Sequence, residues 1–320
     1  MLKSKKLLIA AVCCAFAGHC SVTYGMNENG LFATSSQPTT LPPVRRPSDK
    51  DFFFNALQAA RSGSEQEVLE LIDEGANVNA RGDYGETALT QAIENNCPNI
   101  VDALLAKGAD VNAKNDVNVK PDAKDYSNFG STALMVAVWH GNMPIVQKLL
   151  SDKNIDLNVT DRFGNTALMV AVTRGFCKTR DIKVHGANTQ VQDATCYINI
   201  VKELMKATIA ADKAANASGR GGQAEEQASS SLPSKVNSLN IQNTIKYTVL
   251  HYLMDWANVS SDYKELNLQI KSLILRALKA GADKTIKNRS GKTPADLARD
   301  YGIVGKSGHK KPAPTSGDHR

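Results

Sequence analysis

The chain has 320 residues, of which 42% are hydrophobic, and a formal net charge of +6 at pH 7. Three of those positive charges stand in the first six residues and a net three stand after residue 305, so the body is close to neutral. Because a nucleic-acid groove needs Lys and Arg gathered on one folded face, this distribution argues against nucleic-acid binding.

The first 17 residues have the pattern of a secretory signal peptide. Three lysines precede an apolar run of eleven residues, 7–17, which ends in the small-x-small triplet Ala15-Phe16-Ala17. Eleven residues are too few to span a bilayer, since a transmembrane helix needs about 20. We expect a signal over 1–17, with cleavage as late as residue 25 as an alternative. Export to the periplasm or the medium follows, with no membrane insertion after signal removal.

Two segments outside the expected folded domain are predicted to be disordered. Residues 18–51 are rich in Ser, Thr, Pro and Gln and lack the apolar residues of a core, so they are predicted to be a linker. Residues 305–320 form a short basic tail at the end of the chain. The folded domain is therefore expected over 52–304.

The stretch 85–113, GETALTQAIENNCPNIVDALLAKGADVNA, predicts two short helices joined by a turn. Thr87 is a good N-cap, because its hydroxyl can accept a hydrogen bond from a backbone N–H in the first turn. Apolar residues recur at helical spacing on both sides of Pro98, and the second stripe ends before Gly108. Such a pair of helices cannot bury both apolar stripes alone, so similar units should stack on it.

Copies of this unit are found along the chain when it is aligned on the Thr87 position. The same slot holds Phe54, Thr132, Thr166, Thr248 and Thr293. The second helix recurs as EVLELI (67–72), IVQKLL (145–150), IVKELM (200–205) and LILRAL (273–278). We expect a leucine two residues after the slot to pack between repeats, at Leu89, Leu134, Leu168 and Leu250. The matching row on the second helix is Val68, Val101, Val146, Val201 and Ile274.

Several of these segments resemble the ankyrin repeat, which has a period of about 33 residues. They are TAL (87–89, 132–134, 166–168), TVLH (248–251), TPADLA (293–298) and GADVNA (108–113). The resemblance implies an all-α ankyrin-repeat solenoid of about six helix-turn-helix repeats with short β-hairpin fingers. It also implies that the ring of His251 bonds to neighbouring backbone. The chain departs from the pattern in places: only Thr293 is followed by Pro, and only the Thr248 repeat keeps the His.

Long insertions interrupt the repeats. Residues 114–127 lie in the loop that would form a protruding finger between repeats two and three. In repeat four we expect the first helix to turn at Gly175 and the second to resume near Asn199, which leaves 176–197 as an insertion. Two more insertions are expected, within 207–243 and 257–268, and the first includes the low-complexity segment 218–231.

The cysteines that bound the insertion in repeat four, Cys177 and Cys196, are predicted to form a disulfide. The ends of such an insertion must come close together, and an oxidising compartment would allow the bond. There are two alternatives: the two cysteines bind zinc together with His185, or they remain as free thiols. Two Cys and one His lack the paired C-x-x-C spacing typical of a zinc site, so no metal is expected.

The sequence contains no motif of a known catalytic centre: G-x-S-x-G, a phosphate-binding Gly loop and H-E-x-x-H are all missing. We therefore expect a non-catalytic protein-protein interaction module that is a monomer and uses no cofactor. The alternative is an enzyme or enzyme subunit with a site in the insertions 114–127 or 176–197.

The resemblance also implies where a partner would bind. The outward positions lie three residues before the Thr slot, at the finger tip, and seven or eight residues after it, at the end of the first helix. These positions hold Tyr84, Phe129, Trp139, His140, Phe163 and Arg174. Such aromatic residues are common in interface hot spots. The alternative is that each ring only stacks on the neighbouring finger.

Overall fold

The helices alternate along the chain between an inner row and an outer row. The computed structural model describes residues 64–74, 76–82, 85–115, 130–185, 191–218 and 237–303, all within one compact unit, residues 46–320. Of the helices in these ranges, none combines the length and apolar character needed to cross a bilayer.

Several predictions concern residues outside those ranges. These are the signal 1–17, the linker 18–51, the first helix of repeat one at Phe54, most of the finger insertion 114–127, the low-complexity segment from 219 and the tail 305–320.

The inner row consists of the first helix of each repeat from two to six. Its helices are α2 (Ala88–Glu94), α4 (Ala133–Trp139), α6 (Ala167–His185), α8 (Val249–Val259) and α10 (Pro294–Asp300). The outer row is α1 (Glu65–Asp73), α3 (Pro98–Ala106), α5 (Met143–Leu150), α7 (Val191–Ala217) and α9 (Lys264–Lys279). Each helix packs on the neighbouring members of its own row, and the two helices of a repeat pack on each other. Short 3-10 turns at Ser238–Asn240 and Ser260–Asp262 flank α8. The predicted helical solenoid is confirmed.

The recurring threonine caps the inner helices, as the sequence predicts. In four repeats its hydroxyl accepts a hydrogen bond from the backbone N–H three residues on, at 3.1–3.4 Å: Thr87, Thr132, Thr166 and Thr293. In the fifth, the ring of His251 takes part: its Nδ1 accepts from the Thr248 N–H at 3.1 Å, and its Nε2 lies 3.2 Å from the Lys292 carbonyl. The predicted structural role of His251 is confirmed, and burial lowers the pKa of this imidazole.

Both predicted apolar rows lie in the core. Leu89, Leu134, Leu168 and Leu250 are buried, and so are their counterparts on the outer helices, Val68, Val101, Val146, Val201 and Ile274. Burying each such side chain contributes about 1.5–3 kcal/mol to folding. The repeat register taken from the sequence is therefore correct.

An asparagine ladder links repeats at the loops that follow the outer helices. The side-chain Oδ1 of Asn79 accepts from the Asp110 N–H at 2.7 Å, and that of Asn112 accepts from the Asp156 N–H at 2.9 Å. Asn240 repeats the contact with the Asp283 N–H at 2.7 Å. These bonds fix the spacing of neighbouring repeats by satisfying loop amides that no helix can satisfy.

The fingers are tight turns, which corrects the expectation of β-hairpins. The only strand-like pairing among the described residues is an isolated bridge between Arg81 and Thr87. In the later repeats one side chain closes each turn: Oδ1 of Asp161, Asn243 and Asn288 each accepts two backbone N–H groups at 2.8–3.2 Å. These amides bond to the side chain within the turn, so few remain for a strand ladder.

Repeat four also differs from the prediction, because its helices are long. Helix α6 continues through Gly175 to His185, and α7 starts at Val191, eight residues before the expected Asn199. The segment 176–197 thus extends two packed helices, with 186–190 outside the described residues. In repeat six, α10 is followed by a turn at Tyr301 and Gly302.

The indole of Trp256 explains why α6 does not end at Gly175. This ring is fully buried, and its Nε1–H donates to the Thr179 hydroxyl at 2.8 Å. A Cβ at Gly175 would stand 2.3 Å from the ring, so the ring occupies the space that a side chain would need. Gly175 therefore allows α6 and α8 to pack closely together, and it lies within α6 and does not end the helix.

The structure has no disulfide between Cys177 and Cys196, which corrects that prediction. The Sγ of Cys196 donates to the Gly141 carbonyl at 3.3 Å and so faces repeat three. The predicted disulfide required the two ends of a loop to meet. Instead, each cysteine lies in a helix, and the helical register decides where its side chain points.

Replacing Gly175 with Ala tests this packing. Alanine favours a helix interior by about 1 kcal/mol over glycine, whereas overpacking a core costs about 1–3 kcal/mol. Because the indole is rigid and enclosed, we expect the overpacking to dominate and the free energy of unfolding to fall in urea denaturation. Thr173→Ala on the same helix is the control and should shift the midpoint little. A more stable Gly175→Ala protein would contradict the proposed contact.

Candidate partner-binding surface

The fingers of repeats four and five present two apolar side chains at their tips. Phe163 is 45% exposed and Ile245 is 40% exposed, and both stand three residues before the threonine slot. The Arg162 guanidinium lies 4.4 Å above the Phe163 ring. Of the other predicted tip residues, Tyr84 and Phe129 lie outside the described residues. Phe163 thus lies on an exposed finger tip, as expected, and its contact with a partner stays a prediction.

Neighbouring fingers are joined through their backbones. The Thr244 N–H donates to the Phe163 carbonyl at 2.8 Å, and the Arg289 N–H donates to the Ile245 carbonyl at 3.0 Å. Gly164 permits the first contact, because its φ is +78° and a Cβ there would stand 3.0 Å from the Asn243 Cα. The tips of repeats four to six therefore form one continuous edge.

A cation-aromatic pair lies on the inner helices. The Arg174 guanidinium, on α6, stacks 4.0 Å over the ring of Trp139, the last residue of α4. The Trp139 carbonyl also accepts the Tyr197 hydroxyl at 2.9 Å. Both side chains are half-buried, and the Nε of Arg174 is enclosed without a partner. Arg174 is thus packed against a neighbouring repeat, and its contact with a partner stays a prediction. His140, which follows Trp139, is exposed.

Sequence reasoning missed the corresponding residues of repeats five and six. The outward positions there hold Ile245, Asp255 and Tyr301, and Tyr252 lies one helical turn before Asp255. The signal was available, since these residues occupy the same offsets from Thr248 and Thr293.

Asp255 and Tyr301 form a polar pair between α8 and the end of α10. The Tyr301 hydroxyl donates to the Asp255 carboxylate at 2.8 Å. Burial raises the pKa of Asp255, with the tyrosine bond opposing this shift, and burial together with the same bond raises the pKa of Tyr301. Tyr252 lies one helical turn before Asp255 on α8, and its hydroxyl accepts from the Asn243 amide at 2.8 Å. The pair of Asp255 and Tyr301 therefore lies near the finger of repeat five.

In the part of the chain that the structure describes, no group of three or more His, Cys, Asp or Glu residues could hold a metal ion. The fingers and inner helices carry apolar, aromatic and cationic side chains together with the half-buried carboxyl of Asp255, and apolar, aromatic and arginine side chains are common in protein interfaces.

Comparison with known proteins agrees with the repeat register. Two family models match, one described as ankyrin repeats (3 copies) over residues 44–115 and one as ankyrin repeats (many copies) over 121–175. An ankyrin repeat domain from Acinetobacter baumannii AYE has a similar fold, with a TM-score of 0.51, 23% identity, and cover of 78% of this chain and 92% of that one.

Curated relatives match over shorter stretches. The mitochondrial disaggregase of Bos taurus is 45% identical over 82 residues, which is 25% of this chain and 12% of the relative. The B-cell lymphoma 3 protein homolog of Mus musculus is 37% identical over 93 residues, or 29% and 18%. The chain thus spans less than a fifth of the length of these two relatives.

The buried carboxyl of Asp255 predicts a pH-dependent stability. Its pKa is higher in the folded protein than in the unfolded chain, where it is about 3.9, so the folded state binds the extra proton. The free energy of unfolding therefore falls as pH rises from the pKa of Asp255 in the unfolded chain through its higher pKa in the folded protein, and the loss persists at neutral pH. Asp255→Asn, which still accepts from Tyr301, should be more stable relative to wild type at pH 7 than at pH 4 in urea denaturation.

The control for this experiment is Asp300→Asn, at an exposed carboxylate that pairs with Lys292 at 2.8 Å. This variant should gain no stability toward pH 7. An Asp255→Asn effect of equal size at both pH values would show that the carboxyl has no raised pKa in the folded protein.

Proposed function

This chain is an ankyrin repeat protein, and we propose that it is an exported, non-catalytic module that binds a protein partner on its fingers and inner helices. Ankyrin repeats generally mediate protein-protein interaction, and the family matches cover residues on both sides of the 114–127 insertion. The protein acts as a monomer, and residues of several repeats together form the surface that contacts the partner.

The observation that carries this proposal is the exposure of Phe163 and Ile245 on fingers that are fixed to each other by backbone bonds. A large apolar side chain that is exposed on a rigid support is the typical anchor of an interface. The Trp139 and Arg174 stack, on adjacent inner helices, offers a second anchor of the residue types enriched at hot spots.

Export is supported by the N-terminal sequence, in which the positive start, the apolar run over 7–17 and the small-x-small triplet follow one another in the order of a signal peptide. The similarity to the mitochondrial disaggregase covers 12% of that protein, so its named activity does not carry over to this chain. A binding role needs only the repeats that are shared.

The binding proposal is tested by replacing Phe163 and Trp139 together with Ala. If these rings anchor a partner, chemical cross-linking of the mature protein to that partner should be lost while circular dichroism still reports a folded protein. The matched control is Lys271→Ala with Arg276→Ala, at two exposed positions of the outer helix α9. Equal capture by wild type and the Phe163/Trp139 variant would exclude this site.

The export proposal has a separate test. Cell fractionation should place the protein outside the cytoplasm, and N-terminal sequencing of that protein should start after Ala17, or as late as after Gly25. Deleting residues 7–17 removes the apolar run and should retain the chain in the cytoplasm. A full-length N-terminus on protein outside the cytoplasm would contradict cleavage.

A further inference from the structure

The fingers of repeats four to six carry a concentration of positive charge. Segments 159–165, 242–247 and 286–292 contain five basic residues, Arg162, Lys246, Lys287, Arg289 and Lys292, and one acidic residue, Asp161. The carboxylate of Asp161 accepts backbone N–H bonds from Phe163 and Asn165 inside its own turn. Because the body as a whole is close to neutral, this edge is a local positive patch.

The charges surround the two apolar tips. Arg162 and Lys246 are exposed and adjoin Phe163 and Ile245 in sequence, and the exposed Arg289 is bonded through its N–H to the Ile245 carbonyl. Lys292 pairs with Asp300 at 2.8 Å. The surface therefore combines two apolar anchors with a rim of positive charge.

This surface is also held in one conformation. The Gln242 amide donates to the carbonyls of Lys246 and Lys287 at 3.0 and 3.1 Å, which links the turns of repeats five and six. The Asn243 amide bonds to Asn165 and Tyr252, both at 2.8 Å, which links the turn of repeat five to repeat four and to α8. Since the backbone is already ordered, a partner would bind without the entropic cost of ordering these loops.

We infer that the finger tips of repeats four to six bind an acidic segment of the protein partner, with Asp or Glu facing the basic rim and apolar side chains covering Phe163 and Ile245. This inference rests on the proposed function and assigns the chemistry of the partner. A protein segment fits better than a nucleic acid, because of the two apolar tips Phe163 has an aromatic face on which a base could stack and Ile245 has none. Opposite charges at the rim speed association and select the partner.

The inference is tested by selecting binders from a random peptide library displayed on phage, with the mature protein immobilised. We expect the selected peptides to be enriched in Asp and Glu together with apolar residues, and their binding to weaken as salt rises. Lys246→Glu with Arg289→Glu should reduce the affinity of the best peptide about tenfold or more, because each change turns an attraction into a repulsion.

The matched control is Lys271→Glu with Arg276→Glu, which makes the same change in net charge at exposed positions of the outer helix α9. It should leave peptide binding unchanged. Thermal melts check that both double variants are folded. If the finger variant is unfolded, the neutral pair Lys246→Gln with Arg289→Gln takes its place and should lower affinity to a smaller extent.

Four results would overturn the inference. Selected peptides without acidic enrichment, or with equal affinity for the two charge-reversed variants, would reject the acidic partner but leave protein binding intact. Labelled single-stranded DNA or anionic lipid vesicles that bind through the same cations more tightly than any peptide would assign the patch to another class of ligand. Failure to select any peptide rejects it as well, and the cross-linking experiment then decides whether the broader proposal survives.

Discussion

The contact of the Trp256 indole with Gly175 and Thr179 is the constraint on which the later half of the solenoid depends. The ring is enclosed, its only polar group bonds to the Thr179 hydroxyl, and a glycine is needed beneath it. This contact joins two inner helices, α6 and α8, whose caps are separated by two long insertions. Because those helices pack in register, the fingers that precede them meet as well, and the Thr244 N–H reaches the Phe163 carbonyl.

The fingers show how short polar side chains can replace a sheet. Asp161, Asn243 and Asn288 each close a turn of the same form, and the remaining backbone groups connect one turn to the next. The edge that results is rigid although it contains no strand among the described residues. Such a support can hold exposed apolar and basic side chains at fixed positions, which is the property that a recognition surface needs.

The inner surface also contains groups that do not serve stability. Burial of the Asp255 carboxyl is only partly offset by the Tyr301 hydroxyl, and the Arg174 Nε is enclosed without a partner. Imperfectly satisfied polar groups on the inner side are consistent with a binding role for that surface.

The sequence by itself determined the repeat. The threonine caps, the leucine and valine rows and the role of His251 follow from residues that are near one another in the chain, where helical periodicity and capping act directly. The tertiary structure alone decided the rest. Gly175 has the local signature of a helix end, yet α6 passes through it because Trp256 packs there from a distant segment. The same holds for Cys196, which bonds to Gly141, for Arg174, which covers Trp139, and for Asp255, which meets Tyr301 46 residues later. Sequence pattern and spacing indicate the local conformation of the chain. The contacts between these distant residues depend on which repeats stack on each other, and the stacking is decided only when the apolar faces of the repeats are buried together.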